Sequence, residues 1–289
     1  MCTLTIIPAL AHHSPARLVM SRDEQRSRAR ALPPRIIEPG PHANVPHRIM
    51  PTDPQSGGTW IALNSAGLVF ALLNVNPPAD VAAPRTARPT FSRGVIIPHI
   101  STHTTLNRAA SAALALDFDR FPPFRLIITD GTQLIELVSS INGPTLHHTP
   151  NLSAPFFATS SGLGDHHVDQ PRRDLFNQLI TSAKPVDRPE AQAAFHLSVF
   201  NQAPQISVLM SRPDASTVSI TAVDLHPTRL VMRYHEVDDQ FIRSASRGDQ
   251  AEPTRTHTLT LDRQSDAPSL PPSPPAASHC EPPRSALRP

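Results

Sequence analysis

Cys2 stands directly behind Met1, and a small second residue is the kind that lets an initiator methionine be trimmed away. Cysteine would then head the chain, with a thiol and a free α-amine on one carbon. An α-amine of pKa about 7.7–8.0 is a usable proton acceptor at neutral pH, so nucleophile and base would come in one residue. Further along, Arg22 supplies a guanidinium that would favour thiolate, and Asp23 a carboxylate that could hold the ammonium or orient the amine.

Strand geometry is what would bring these groups together. Thr3 to Leu10 and Ala16 to Asp23 are short, apolar and β-prone, and His12-His13-Ser14-Pro15 between them reads as a turn. A hairpin pivoting near His13 sets opposite one another residues whose numbers sum to roughly 26, which returns Arg22 and Asp23 beside Cys2. A second hairpin runs from Thr59 to Leu63, turns at Asn64-Ser65-Ala66-Gly67 and returns over Leu68 to Asn74. Its pivot sets Gly57 and Gly58 opposite Asn74, so an amide side chain projects where the facing backbone carries no bulk. Read by themselves, the glycines equally serve a bulge, with Asn74 capping a turn before Pro77-Pro78.

Cys2 followed by Leu18-Val19-Met20-Ser21-Arg22-Asp23-Glu24 resembles the opening of the NRDE family of transport and Golgi organisation protein two-like proteins. That family is named for an Asn-Arg-Asp-Glu run, of which Ser21 here replaces the first member. The resemblance continues through Gly57-Gly58-Thr59-Trp60-Ile61-Ala62-Leu63-Asn64 and Gly67-Leu68-Val69-Phe70-Ala71-Leu72-Leu73-Asn74. It is fainter at Ser92-Arg93-Gly94-Val95-Ile96-Ile97-Pro98 and at Ser160-Ser161-Gly162-Leu163-Gly164-Asp165, and it covers most of the chain up to His235. The family is considered similar in fold to the N-terminal-nucleophile (Ntn) hydrolases, above all the cholylglycine hydrolase branch.

The resemblance implies hydrolysis of a small non-peptide carbon–nitrogen amide. Cys2 would attack, Arg22 lower the thiol pKa and Asp23 position the ammonium. Asn74 matches an Asn whose amide donates to the oxyanion, and Asn76 is its neighbouring fallback. A second Asn of that branch, which helps bind the amide, has no counterpart here, and Ser160 or Ser161 could substitute with a hydroxyl. Ser211-Arg212-Pro213-Asp214-Ala215-Ser216-Thr217-Val218-Ser219 resembles the branch's Asp-x-Ser-Ser-x-Ser stretch. The Arg that follows that stretch reaches the active site; Ile220 occupies its place, and Arg212 could serve instead or be a surface residue in a turn. Family members are also linked to secretory-pathway organisation and to movement of haem or lipid metabolites, which implies an alternative: a non-catalytic binding or trafficking protein on the same fold.

The remaining elements follow from pattern. Arg26 to Pro54 reads as a long loop bordering a pocket, with only Pro34 to Ile37 strand-like. Ser101 or Thr102 would cap a helix to about Leu116, with Leu106, Ala109, Ala110, Ala113 and Leu114 on one face. Phe124 to Thr129 and Gln133 to Ser139 flank Asp130-Gly131, a hairpin signal. A second helix spans Arg172 to Ala183, with Leu175, Phe176, Leu179 and Ile180 spaced for burial. Ile206 to Met210, Thr217 to Asp224 and Arg229 to Tyr234 read as strands, and His257 to Leu261 as an edge strand. Alternating hairpins with few helices predict an α+β fold with antiparallel pairing. The four-layer αββα sandwich with two mainly antiparallel sheets, over residues 1–262, is what the resemblance implies. From 263 to 289 the composition turns to Pro, Ser and Ala, which predicts a disordered tail.

Composition narrows the function. The formal charge of +2 is near balance, and no run of clustered basic residues with interleaved aromatics suggests nucleic acid. The two cysteines, Cys2 and Cys280, lie at opposite ends, which predicts no structural disulfide and fits a reducing compartment. The N-terminus has no basic region before its short, Pro8-containing apolar run, and no stretch approaches the ~18 apolar residues of a membrane span. A cytoplasmic protein acting on a small molecule is expected. The pairs His12-His13, His147-His148 and His166-His167 lack the spacing of a zinc site, no dinucleotide fingerprint is present, and no cofactor or metal is expected. A Gly-x-Ser-x-Gly elbow is absent, and the oligomeric state is not encoded legibly.

Overall fold

The computed structural model describes residues 2–10, 14–39, 45–78, 90–140 and 143–264. Strands β1 (Cys2–Ile7) and β2 (Ala16–Gln25) form the first hairpin. The chain then builds a seven-stranded sheet in sequence order from β3 (Leu32–Ile37), β4 (Arg48–Thr52), β5 (Ile61–Asn64), β6 (Val69–Asn74), β7 (Phe124–Thr129), β8 (Leu134–Ser140) and β9 (Gly143–Thr149). Helices α1 (Ile96–Ile100) and α2 (Leu106–Leu114) lie between β6 and β7. Strand β10 (Phe156–Ser160) returns to pair with β1, and α3 (Asp165–Phe176) and α4 (Arg188–His196) follow. Strands β11 (Ala215–Leu225) and β12 (Arg229–Glu236), helix α5 (Asp239–Arg247) and strand β13 (Arg255–Asp262) end the described chain. The second sheet has the order β10-β1-β2-β11-β12-β13, and every pairing in both sheets is antiparallel.

Strand alternation sorts the side chains into layers. Leu4, Ile6, Leu18 and Met20 of the first hairpin meet Ile61, Leu63, Val69, Ala71 and Leu73 in a core between the two sheets. The opposite face of the seven-stranded sheet, with Ala62, Phe70 and Leu126, packs on Ile97 and Ile100 of α1 and Ala109 and Ala113 of α2. The outer face of the other sheet meets α5 through Val19, Ile220 and Phe241, and α3 and α4 through Phe157, Phe176 and Phe195. The result is the expected α+β, four-layer αββα sandwich. Each fully buried Leu, Ile or Phe contributes about 1.5–3 kcal/mol, and the inter-sheet layer holds many of them. Among the described residues no helix is long and apolar enough to cross a membrane.

The first hairpin is tighter than predicted: Cys2 faces Arg22 and Thr3 faces Ser21, so paired numbers sum to 24. Strand β4, which contains Pro51, falls in the stretch expected as loop. Its pairing with β5 covers only Arg48 and Ile49, so the proline's missing donor is not needed there. Helix α2 is capped by Thr105, which accepts from Arg108 N at 3.4 Å, rather than by Ser101 or Thr102, and Leu114 points outward. Helix α3 starts at Asp165, ahead of Arg172, and carries Pro171 within it. Ile206 to Met210 is not a strand; a 3₁₀ turn at Pro204–Ile206 leads into an irregular buried segment. Helices α4 and α5 were not expected, although α5 packs Phe241, Ile242 and Ala245 on one face. The ring centroids of His166 and His167 lie 3.9 Å apart. His12-His13 and the tail from residue 265 onward lie outside the described residues.

Ser21 points to the helix side of its sheet. Its Oγ lies 2.8 Å from His196 Nδ1, and His196 Nε2 lies 2.8 Å from Thr5 Oγ1, to which Gln192 Nε2 donates at 2.9 Å. Burial pushes the His196 pKa down to about 3, helped by Arg17 and Arg172. A histidine held below its ordinary 6.5 lends stability that is complete above that pH and is lost as pH falls toward about 3. The melting temperature is therefore expected to drop on acidification from about pH 6.5 to about 4, and His196→Gln to flatten that drop. An unchanged profile in the variant would rule His196 out as its source.

Candidate active site

The N-terminal end of β1 lies between two partners. Cys2 is level with Arg22 of β2 on one side and Ser160 of β10 on the other, and its nitrogen donates to Ser160 Oγ at 3.1 Å. Cys2 is 5% exposed and faces the inter-sheet space with Leu4 and Ile6. Strand β11 pairs with β2 through a register shift between Thr217 and Ser219, which sets Thr217 against Asp23 and Ser219 against Arg22. A bulge of this kind re-aims side chains. Here Thr217 Oγ1 donates to Asp23 Oδ1 at 2.7 Å.

Asp23 faces the helix layer. Its Oδ2 lies 4.0 Å from Nη2 of Arg172 on α3, and both side chains are 1% exposed. Arg172 also donates to Thr3 Oγ1 and Thr159 Oγ1, each at 2.8 Å, and to the carbonyls of Ile206 at 3.0 Å and Ser207 at 2.6 Å. Burial pushes the Asp23 pKa up, with Arg172 the main group opposing it. The same burial pushes Arg172 down, with Asp23 opposing.

Facing sheet ends enclose a cavity of about 400 Å³ whose wall includes Cys2, Arg22, Asp23, Asn74 and Arg212. Asn74 is the last residue of β6, so the two sheets contribute opposite walls. The Arg22 guanidinium lies 4.1 Å from the Trp60 ring centroid, 2.9 Å from Glu24 Oε2 and 3.7 Å from Asp53 Oδ2. Burial alone would raise the Asp53 pKa, but the Gln55 N–H and Arg28, whose Nε donates at 3.0 Å, outweigh it and hold the carboxyl below its ordinary range. Arg22 acts in the expected direction, lowering the Cys2 pKa, but other influences on the thiol are larger. Burial pushes the thiol up and Asp23 adds to this, while the N-terminal charge and, more weakly, Arg22, already shared with two carboxylates, pull it down without reversing the rise.

The other expected site residues do not line the cavity. Gly58 abuts Gly94, not Asn74: a Cβ there would meet the Gly94 carbonyl carbon at 2.4 Å. Gly57, at φ +64°, shapes a turn with Asp53, donating to its carbonyl at 2.8 Å. Asn76 and Ser161 both serve Asp165 at the start of α3, the Asn76 side chain donating at 3.3 Å and the Ser161 N–H at 2.8 Å. Ser160 touches only the Cys2 nitrogen among these groups. Arg212 is on the cavity wall, its Nε 2.8 Å from Asp214 Oδ1, whereas Ile220 packs under α5.

Among the wall or support residues that were not expected are Arg172, Trp60 and Arg93. Arg172 sits four residues after Val168 and four before Phe176, a lone charge on a buried helical stripe and hence a readable signal once α3 is extended past Pro171. Trp60 and Arg93 line the cavity from segments that meet only in the folded chain, Thr59 N donating to Gly94 O at 2.9 Å.

A family model described as Transport and Golgi organisation 2 matches residues 1–265. No curated protein matches the chain significantly. Among solved structures, the chain is similar to the Caenorhabditis elegans N-acylethanolamine-hydrolyzing acid amidase ortholog, at 10% identity and a TM-score of 0.51, covering 78% of this chain and 94% of that one. It is also similar to penicillin V acylase from Agrobacterium tumefaciens, at 14% identity and a TM-score of 0.47, over 82% and 83% of the two chains. A mutant of conjugated bile acid hydrolase from Clostridium perfringens matches at 11% identity and a TM-score of 0.45, over 90% and 96%. At such identities the likeness to the amidase bears on the fold alone, which is that of the Ntn hydrolases.

Proposed function

The chain belongs to the Transport and Golgi organisation 2 family, and from that premise we propose that it is a cysteine-nucleophile hydrolase of a small non-peptide carbon–nitrogen amide. One observation carries the reading: Cys2, at the head of β1, is on the wall of a 400 Å³ cavity with Arg22 and Asp23 beside it and Asn74 on the facing sheet.

With Met1 removed, the nitrogen that donates to Ser160 Oγ becomes an α-amine adjoining the thiol. Because burial raises the thiol pKa, thiolate forms as the amine takes the proton during attack rather than standing beforehand. Sulfur adds to the amide carbonyl, and Asn74 Nδ2–H donates to the oxyanion. The ammonium then protonates the leaving nitrogen, the C–N bond breaks, and water hydrolyses the thioester to restore the thiol. Asp23, held by Thr217 and Arg172, fixes the electrostatics beneath the amine.

The test is an amide-library turnover assay on the wild type, Cys2→Ser and Cys2→Ala, with the intact mass of the purified protein measured alongside. The mass is expected to lack Met1; equal turnover in all three proteins, or a retained Met1, would end the proposal. Asn74→Ala is expected to lower kcat by about 10²–10³ with little change in KM, as for loss of one oxyanion donor. The alternative of a non-catalytic binding protein draws support from the raised thiol pKa, and ligand binding without turnover, unchanged in Cys2→Ala, would select it.

A further inference from the structure

Three of the guanidinium groups on the cavity wall are matched by carboxylates. Arg22 pairs with Glu24 at 2.9 Å, Arg28 Nε with Asp53 at 3.0 Å, and Arg212 Nε with Asp214 at 2.8 Å. Arg93 differs: its Nη1 donates to the Pro123 carbonyl at 2.8 Å, and among the described residues no carboxylate lies within 4.0 Å of it. Burial works against its charge, and Cys2, Glu24 and Asp165 are the groups whose fields favour it. A second donor on the same wall is also unspent. Trp60 is 7% exposed, and its buried Nε1–H has no acceptor among the described residues.

The segments that carry these two residues are clasped together. Thr59, next to Trp60, donates its N–H to the carbonyl of Gly94, next to Arg93, at 2.9 Å. The clasp needs glycine, since a Cβ on Gly58 would strike the Gly94 backbone. Ser92 Oγ accepts from Gly94 N at 3.3 Å and fixes the turn that presents Arg93. The carboxylates of the wall are engaged while donors are left over, so the missing partner is an acceptor with negative charge.

We infer that Arg93 and Trp60 form an anion subsite in the Cys2 cavity, which takes a carboxylate or phosphate group carried by the substrate beside its scissile amide. The subsite rests on the hydrolase reading only for the bond that is cut; its preference for an anion stands on the two donors.

Paired alkylation tests it without relying on turnover. Iodoacetate and iodoacetamide have the same leaving group and differ in charge, and each alkylates a thiol by forming an S–C bond as iodide departs. Rates at Cys2 are followed by peptide mass spectrometry, with glutathione as the free-thiol reference. In the wild type the iodoacetate-to-iodoacetamide ratio at Cys2 is expected to exceed that of glutathione by about tenfold or more. Arg93→Gln should bring it close to the glutathione value, Trp60→Phe should lower it, and Arg93→Lys should keep most of it. Thermal melting of each variant reports folding, and the Arg93→Lys and Trp60→Phe arms remain decisive if Arg93→Gln unfolds. An equal ratio in wild type and Arg93→Gln, or a Cys2 that neither reagent labels, would overturn the subsite. Turnover of N-acylglycine, N-acylphosphoethanolamine and a neutral ethanolamide then separates carboxylate from phosphate. If no amide is turned over while the alkylation ratio persists, the hydrolase reading fails and the anion subsite does not.

Discussion

Cys2→Ala is expected to lower amide turnover by roughly 10⁴–10⁶, the scale seen when a nucleophile is removed from a working constellation. The residual rate would come from the cavity's binding groups and the Asn74 amide. Stability should change little, by about 1 kcal/mol, because one sulfur is lost from a wall that also faces solvent-accessible space. Cys2→Ser keeps the shape and the amine but offers a far weaker nucleophile, so it should sit between wild type and Cys2→Ala. A third arm separates thiol from amine: an alanine inserted between Met1 and Cys2 leaves the thiol in place but converts its nitrogen to a peptide. That arm is expected to cost about 10²–10⁴, the usual contribution of a positioned base. Steady-state kinetics on any amide that the library identifies gives all three values. Wild-type rates in the extended chain would show that the amine takes no part.

The parts of this site that the sequence disclosed are the local ones. Cys2, Arg22 and Asp23 share one hairpin, and antiparallel pairing over a short turn leaves little freedom in where they meet; the two-residue tightening of the register still set Arg22 opposite Cys2. Asn74 was legible for the same reason, as the end of a strand whose Gly67 turn is local. What stayed hidden depends on contacts between distant segments. Gly58 was assigned to Asn74 because only the hairpin partner can be inferred from spacing, whereas its true neighbour, Gly94, arrives from a separate turn. The segments that bring Arg93 and Trp60 to one cavity wall are joined by that same clasp. The thiol pKa could not be read either, since the proximity of Arg22 is visible in a register but burial of Cys2 between two sheets is not. Pro171 concealed Arg172 by moving the expected start of α3 beyond the turn that defines its buried stripe.

Arg172→Met is expected to be the most destabilising single change at the site, by about 3–5 kcal/mol, because it leaves the Asp23 carboxylate buried without its cation. Methionine fills much of the volume, so the loss is mainly polar: two threonine hydroxyls and two carbonyls lose their donor as well. The pH dependence separates the ion pair from these hydrogen bonds. Burial already raises the folded pKa of Asp23 above its ordinary 3.8, so its neutral form is the one the fold favours, and its charge costs stability at neutral pH. Removing Arg172 raises that pKa further. The penalty in Arg172→Met should therefore be greatest near neutrality and shrink as pH falls toward about 4 and Asp23 takes a proton. His196 titrates over the same range and feels Arg172, so the comparison belongs in a His196→Gln background. Adding Asp23→Asn to Arg172→Met should recover part of the loss, with a coupling of about 0.5–3 kcal/mol. A penalty that does not vary with pH, or strict additivity in that cycle, would make Arg172 a hydrogen-bonding brace for β1, β10 and the segment after Ile206, and would leave Asp23 to be held by Thr217.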